Sequence, residues 1–247
     1  MAAINGVHPA PTDSDARLRQ PSGIRLVDDV AGSIEDAILA GQMRPGERLV
    51  EIPLCVELGV SRTTLREALL ILQQRGLVRI EPRRGAFVTR LSREGSLDLC
   101  GTRALLESYA VFVGFPDLGA EQFDNMQDLV DELARCELPR DVPRLIQIDL
   151  EFHAILLEAI DSEGIRELWN SLNGKMSALI LSSLEHHHAN IADVAGFHQV
   201  LLDAVRSGDR VIARDAVIAH YIGVEQGQTG TLAETASVIE SMGRNSF

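Results

Sequence analysis

The sequence is poor in cysteine, aromatic residues and lysine. Its 247 residues include three cysteines, and Phe, Trp and Tyr together make up 4% of the chain. Cys55, Cys100 and Cys136 are widely spaced and form no Cys-x-x-Cys motif, which gives no disulfide framework and fits a reduced cytoplasm. Lys175 is the single lysine. Arginine, which suits bidentate contacts, therefore carries nearly all the positive charge, although a compositional bias of the genome explains this equally well.

Long apolar runs are also missing. No run approaches the roughly 20 residues that a membrane-spanning helix needs, and the N-terminus lacks the apolar core of a signal peptide. Residues 1–23 are rich in Pro, Ser, Asp and Gly and are predicted to form a flexible tail. Hydrophobic residues make up 45% of the chain, enough for a sizeable core in one large domain or two smaller ones. We therefore expect a cytoplasmic protein with no membrane partner.

Negative charge dominates the sequence but is unevenly distributed. The formal net charge is −13, which by itself argues against a polyanionic partner. Residues 24–93 nevertheless contain 11 Arg and Lys against 9 Asp and Glu, a net charge of +2, whereas the remainder has a net charge of −15. This asymmetry suggests two domains with different partners.

The periodicity of residues 24–92 predicts a winged helix-turn-helix. Apolar residues recur at helical spacing over about 25–40 and 52–58, and a third helix is predicted between the N-cap Ser61 and Gly76. The segments LVRI and AFVTRL then read as two strands joined by the turn EPRRG. Three helices followed by a β-hairpin are the outline of this fold.

Hydrogen-bond donors cluster at the start of the predicted third helix. Backbone N–H groups and hydroxyls suit phosphate oxygens, and arginine also fits the O6/N7 edge of guanine. The hairpin turn adds another arginine and a glycine that permits positive φ. An ordinary solvated helix surface is the alternative for such a cluster taken alone. The predicted DNA-binding residues are Ser61, Arg62, Thr63, Thr64, Arg66, Arg84 and Gly85.

The segment RPGERLVEIPLCVELGVSRTTLREALLILQQRGLVRIEPRRGAFVTRL resembles the winged-helix domain of GntR-family bacterial transcription regulators. The resemblance implies that Arg62 and Arg66 match the two recognition-helix arginines of that family, and that Gly85 matches its wing-tip glycine. There is one departure. The family often has Glu-Arg at the start of the second helix, where the arginine contacts DNA, whereas this sequence has Glu51 followed by Ile52. The base preference at that point is therefore open.

The remainder of the chain has the pattern of an antiparallel helical bundle. Strand signals vanish, and short breaks separate long amphipathic segments, which favours antiparallel neighbours. The predicted helices span about 94–113, 119–135, 141–160, 163–185, 191–206, 209–225 and 231–241. We therefore predict a mainly α protein with a tail at 1–23, a winged helix-turn-helix at 24–92 and an all-helical domain at 93–247.

Four polar residues lie on the apolar stripes of three predicted helices. Asp149 and His153 are one helical turn apart on the first, and His198 and His220 lie on the others. A lone histidine on such a stripe is more often a core residue than a ligand. An unpaired carboxylate in a core is costly, however, and a bound cation removes that cost. Three imidazoles and one carboxylate suit a divalent metal: zinc is expected, nickel, manganese and iron are alternatives, and a metal-free bundle remains possible.

The same residues are similar in spacing to the FCD domain, the effector-binding domain of FadR-type GntR regulators. Asp149, His153, His198 and His220 fill its four metal positions, and TRALLES resembles its Arg-x3-Glu start. The resemblance implies a divalent metal and a small organic acid as effector. Arg103 is then the expected bidentate clamp for the carboxylate of the effector, with a surface or interdomain salt bridge as its alternative role.

Together these features predict a transcription regulator, a homodimer that represses by binding double-stranded operator DNA and that responds to a small carboxylate bound at the metal. Two other functions stay open. The metal itself is the signal in one, and a metal-dependent hydrolase is the other, against which the DNA-binding block argues. A solvated cluster at a helix end is expected for His186, His187 and His188.

Overall fold

The computed structural model of the protein describes residues 24–114, 118–187 and 191–225. The N-terminal part contains three helices and a small sheet, and the remainder is helical. The predicted fold class, a winged helix-turn-helix followed by an antiparallel helical bundle, is confirmed. The predicted tail at 1–23 and the predicted helix at 231–241 lie outside the described residues. No helix in the described ranges is long and apolar enough to cross a membrane.

The N-terminal unit is built on helices α1 (Ile24–Leu39), α2 (Glu51–Leu58) and α3 (Arg62–Gln74). Helix α3 begins after Ser61, whose hydroxyl accepts a hydrogen bond from the backbone N–H of Thr64 and so caps the helix. The inward face of α3 is apolar and buried: Leu65, Ala68, Leu69 and Leu72. The opposite face is left in solvent.

Three antiparallel strands, β1 (Arg48–Leu49), β2 (Val78–Glu81) and β3 (Gly85–Val88), form a sheet in the order β1-β3-β2. Strands β2 and β3 are the predicted hairpin. Its turn contains two residues in the left-handed region, Arg83 with φ 63° and Gly85 with φ 102°, and glycine adopts that conformation without steric penalty. Strand β1 escapes prediction because two residues are too few to show an alternating pattern.

The remainder of the described chain folds into seven helices, with a short 3-10 helix, Leu157–Ala159, after the third. Short connections make most sequence neighbours antiparallel. The helices are α4 (Arg93–Val113), α5 (Ala120–Leu133), α6 (Val142–Leu156), α7 (Glu163–Asn170), α8 (Asn173–His187), α9 (Ile191–Arg206) and α10 (Arg210–Glu225).

The predicted continuous helix at 163–185 is wrong, because α7 and α8 are separate helices. The two residues between the helices are neither glycine nor proline, and the nearest glycine follows only at the second position of α8. Instead the hydroxyl of Ser171 donates to the carbonyl of Leu168 at 2.6 Å, and the side-chain amide of Asn173 donates to that of Asn170 at 3.4 Å. Such local side-chain hydrogen bonds compete with helical ones. The break places Asn173 at the first position of α8.

One hydrophobic core runs through both halves of the molecule. It includes Val30 and Ile34 of α1 together with Ile146 of α6 and Leu181 of α8. A second cluster, which contains Phe152, lies within the helical bundle. Burial of this continuous apolar surface holds the N-terminal unit against the bundle.

Candidate functional site

Three buried histidines from three helices meet inside the bundle. His153 on α6, His198 on α9 and His220 on α10 each present a ring nitrogen, and these nitrogens all lie within 4.8 Å of one another. The ring centroid of His220 is 4.9 Å from those of the other two. The apolar spacing of each helix turns its histidine inward. Three of the four residues predicted to hold a metal are therefore brought together.

Asp149, the fourth predicted ligand, borders this group. It is one turn before His153 on α6, and its Oδ1 is 3.1 Å from Nε2 of His198. Its Oδ2 is buried and has no hydrogen-bond partner among the described residues. The carboxylate flanks the three nitrogens and does not lie within the 4.8 Å group itself. All four predicted residues are thus at one place in the bundle.

Glu107 on α4 fixes the orientation of the His153 ring. Its Oε2 is 2.8 Å from His153 Nδ1, and both side chains are buried. Burial raises the pKa of Glu107, but the nearby charges of His153 and Arg103 outweigh that effect and hold the pKa below its usual value. The ionised carboxylate therefore accepts a hydrogen bond from Nδ1–H, and in the neutral ring the lone pair of His153 is then on Nε2. That atom is buried and lacks a hydrogen-bond partner in the described ranges.

The ring of His198 is oriented by its own helix. Its Nδ1 lies 2.8 Å from the carbonyl oxygen of Val194, and because a carbonyl only accepts, Nδ1 carries the hydrogen. In the neutral ring, Nε2 then directs a lone pair toward the Asp149 carboxylate at 3.1 Å. Two acceptors at this distance repel each other unless a proton or a metal cation lies between them.

The electrostatics of the cluster favour a neutral His220 beside an ionised Asp149. Burial lowers the pKa of His220, and the neighbouring His153 and His198 lower it further. Burial raises the pKa of Asp149, but a hydrogen bond that a protonated His198 donates from Nε2, together with the positive charge that the three histidines carry when protonated, outweighs burial and holds that pKa well below its usual range. Neutral imidazoles and ionised carboxylates are the protonation states that metal binding requires.

These donors fit a divalent transition metal. Imidazole nitrogens with one carboxylate are ligands that zinc commonly takes, and the imidazole-rich set suits nickel and iron better than manganese. In the part of the chain that the structure describes, His153 Nε2 and Asp149 Oδ2 are buried without partners. Buried polar atoms of this kind cost free energy unless a ligand satisfies them. The cluster is therefore chemically competent to hold a metal.

Arg103 on α4 is fully buried next to the histidines. Its Nε donates to the hydroxyl of Tyr221 at 3.1 Å and its Nη1 donates to Oδ1 of Asn173 at 2.7 Å. The guanidinium carbon lies 3.9 Å from the centroid of the Trp169 ring. Nη2 is buried and finds no hydrogen-bond acceptor among the described residues. Arg103 does form a salt bridge, with Glu107 at 3.2 Å, but this pair lies inside the bundle and not at the surface.

Sequence reasoning noted Glu107 only as the glutamate of the Arg-x3-Glu pattern and assigned no role to Trp169 or Tyr221. Oε1 of Glu107 accepts hydrogen bonds from the indole N–H of Trp169 and the hydroxyl of Tyr221, both at 2.6 Å. Since Oε2 accepts from His153, Glu107 connects the histidine cluster with Arg103. The available signal is the i,i+4 spacing of Arg103 and Glu107 on α4, which puts both on one helix face.

The predicted DNA-binding residues of α3 lie at its N-terminal end. Ser61, Arg62 and Thr63 are exposed, and Thr64 is half-buried with its hydroxyl 2.9 Å from that of Ser61. This end of the helix therefore presents hydroxyls and a guanidinium to solvent.

Two other predicted DNA-binding arginines each pair with a glutamate. Arg66 is exposed and donates from Nε and Nη2 to the two carboxylate oxygens of Glu51, at 2.8 and 2.9 Å. In the hairpin, Arg84 pairs with Glu81, and the adjacent Gly85 is exposed. These pairs restrain the guanidiniums without burying them.

Comparison with known proteins places two family models on the chain. The FCD domain model matches residues 98–223, and that of bacterial regulatory proteins, gntR family, matches residues 26–88. The gluconate operon transcriptional repressor of Bacillus subtilis (strain 168) is 28% identical over 201 residues, which cover 79% of this chain and 82% of the relative. The Uxu operon transcriptional regulator of Escherichia coli (strain K12) is 28% identical over 227 residues, which cover 83% and 87%.

Two solved structures superpose on most of the chain. A GntR transcriptional regulator from Rhodococcus sp. RHA1 superposes with a TM-score of 0.65 at 27% identity, covering 88% of this chain and 99% of the other. McbR/YncC of E. coli superposes with a TM-score of 0.62 at 20% identity and covers 88% and 98%. The second match is a likeness of fold alone.

Proposed function

Because the chain belongs to the GntR family of bacterial transcription regulators and carries an FCD domain, we propose that it is a repressor controlled by a small organic acid bound at a divalent metal. Its family already makes the chain a DNA-binding transcription regulator and not an enzyme. One observation supports control by an acid bound at a metal. Three helices contribute three ring nitrogens within 4.8 Å of one another. We place its action in the cytoplasm.

The metal in this proposal is held by His153, His198 and His220, with Asp149 completing the set. A bound divalent metal supplies positive charge that attracts an anion into the bundle. Zinc is the expected ion, with nickel, iron and manganese as alternatives. The chain itself contributes the orientation of the ligands, since Glu107 holds one imidazole ring and the carbonyl of a neighbouring turn holds another.

The proposed effector is a small carboxylate that Arg103 binds. Burial in an apolar setting strengthens a charge-assisted hydrogen bond. Arg103 Nη2 has a free donor in the described part of the structure, whereas Nε and Nη1 are already engaged. One relative takes its name from a gluconate operon, so sugar acids are the first class to test.

Communication with DNA is proposed to run through the start of α8. Arg103 holds Asn173, the first residue of that helix, at 2.7 Å. The next residue, Gly174, packs against the C-cap of α3: a Cβ on Gly174 would lie 2.1 Å from the carbonyl oxygen of Arg75. A shift of Arg103 toward an effector therefore moves a helix that touches the recognition helix. Control by the effector requires that it bind the two states with different affinity.

Titration tests this function. Operator DNA is first selected by the protein from a random duplex library, and its affinity is then measured with zinc present while gluconate, other sugar acids and short hydroxy acids are added one at a time. At least one acid is expected to weaken operator binding by about 5–150-fold, the usual range of allosteric coupling. The opposite outcome is that no acid changes the operator affinity of the metal-loaded protein, whereas zinc alone does. In that case the cation is itself the signal and the effector role of Arg103 is rejected.

Gly174→Ala is expected to break the link between effector and DNA. The added Cβ forces α8 away from the Arg75 carbonyl, so the acid should change operator affinity by a factor near one, while zinc content stays unchanged. The matched control is Gly164→Ala, at the second position of α7, where a Cβ meets nothing within 4 Å. A Gly174→Ala protein that responds to the acid as fully as the control would rule out this route.

A homodimer on a palindromic operator completes the proposal. Exposed apolar side chains on one side of α4 support it, since such patches mark protein interfaces: Leu105, Tyr109 and Val113.

A further inference from the structure

We propose that Glu51 is a specificity-determining residue, which holds the Arg66 guanidinium in the orientation that reads a base. The inference rests on the proposed role of Arg66 in DNA recognition. The two residues are on different helices, α2 and α3, and are joined by two parallel hydrogen bonds of 2.8 and 2.9 Å. A bidentate pair fixes both the position and the plane of a guanidinium.

Glu51 occupies one edge of the Arg66 guanidinium and leaves the other edge for DNA. Nε and Nη2 of Arg66 donate to the carboxylate. The free edge consists of Nη1 and the second hydrogen of Nη2, two parallel donors at the spacing of guanine O6 and N7. Arg66 stays exposed in this pair, so the free edge is available to DNA. An arginine held in advance loses less rotamer freedom on binding.

Glu51 also affects sequence-independent binding. The hydrogen bond from Arg66 is the main reason that the pKa of Glu51 lies below its usual value, and the carboxylate is therefore negative at neutral pH. A negative charge beside the recognition helix repels phosphates, which supply nearly all non-specific affinity. Glu51 thus strengthens the contact of Arg66 with its base in the operator and weakens binding to DNA of any other sequence.

The wing contains a related arginine–glutamate pair, which lacks the two parallel hydrogen bonds that join α2 and α3. Arg84 pairs with Glu81, and its guanidinium carbon lies 5.7 Å from the centroid of the Phe87 ring. Arg62 differs, since no ion pair to it occurs within the described residues. The pairing therefore distinguishes Arg66, which is held at two atoms, from Arg84, which has one ion-pair contact, and from Arg62, which is free to follow a phosphate.

The test compares Glu51→Ala with Glu57→Ala. Glu57 is exposed on the same helix and forms no ion pair in the part of the chain that the structure describes, so its removal changes only charge. Affinity is measured for the selected operator and for an unrelated duplex of equal length, at two salt concentrations. Glu57→Ala should raise both affinities equally. Glu51→Ala should raise non-specific affinity but lower the ratio of specific to non-specific binding by about tenfold, within the discrimination that one bidentate base contact provides.

Arg66→Ala and the double variant separate this inference from the role of Arg66 itself. Arg66→Ala should lower the specificity ratio by at least as much as Glu51→Ala, and adding Glu51→Ala to it should lower the ratio no further. If Arg66→Ala leaves the ratio unchanged, the recognition role of Arg66 fails. If Arg66→Ala lowers the ratio but Glu51→Ala behaves like Glu57→Ala, Arg66 reads DNA without help from Glu51 and only the present inference is overturned.

Discussion

Replacement of His198 by alanine is expected to leave the purified protein without the divalent metal that we propose for the unaltered protein. His198 supplies one of three ring nitrogens within 4.8 Å of one another and is the side chain that faces Asp149 at 3.1 Å. Loss of a direct ligand should lower zinc affinity by more than the roughly 10–100-fold that follows loss of an outer-shell partner. Elemental mass spectrometry gives the metal content, and zinc titration against a competing chelator gives the affinity.

Tyr221→Phe is the matched control for this change. The hydroxyl of Tyr221 donates to Glu107 at 2.6 Å, accepts from Arg103 at 3.1 Å and lies 3.4 Å from Nδ1 of His153, the ring nitrogen that faces Glu107. It therefore borders the histidine cluster but offers no ligand atom to it. The control should keep its metal, although it loses the buried hydrogen bonds with Glu107 and Arg103. Circular dichroism confirms that each variant is folded before metal is measured. A folded His198→Ala protein with full metal content would show that the cluster does not hold the ion.

Helical periodicity is the part of this site that the sequence encodes directly. His153, for example, is inward because Phe152 and Leu156 are inward, and both are buried. The same argument applied to His198 and His220 predicted three inward histidines correctly. The fact that the three stripes converge on one point is tertiary information, since it depends on how each helix is rotated against its neighbours. Spacing along one helix cannot supply it.

The residues that sequence reasoning missed are those whose role exists only in the assembled bundle. In the sequence Glu107 is marked only by its i,i+4 spacing from Arg103 on the same helix, and two other helices then bring it His153 and Tyr221. The break before Asn173 was missed for a related reason. It depends on local side-chain hydrogen bonds, and the nearby glycine, Gly174, lies inside α8 and not between the two helices, so it does not mark the boundary.

Glu107→Ala is expected to cause a large loss of folding stability. Glu107 and Arg103 are both fully buried and 3.2 Å apart, and Glu107 also accepts hydrogen bonds from Trp169, Tyr221 and His153. Removing one member of a buried ion pair leaves the other charge uncompensated and costs about 3–5 kcal/mol. Urea denaturation followed by circular dichroism measures the change in free energy of unfolding. Asp98→Ala, which removes an exposed carboxylate from the same helix, should stay within about 0.5 kcal/mol of the unaltered protein.

The physical cause can be isolated by removing the partner charge as well. If the loss in Glu107→Ala comes from the stranded guanidinium, the double replacement Arg103→Leu with Glu107→Leu should be more stable than either single one, because no buried charge is left unpaired. Zinc affinity separates the second role of Glu107. The double variant regains stability but still lacks the acceptor for His153 Nδ1–H, so its affinity should remain about 10–100-fold below that of the unaltered protein. Additive losses of stability in the double variant would contradict the ion-pair argument, and unaltered zinc affinity would contradict the link from Glu107 to the histidine cluster.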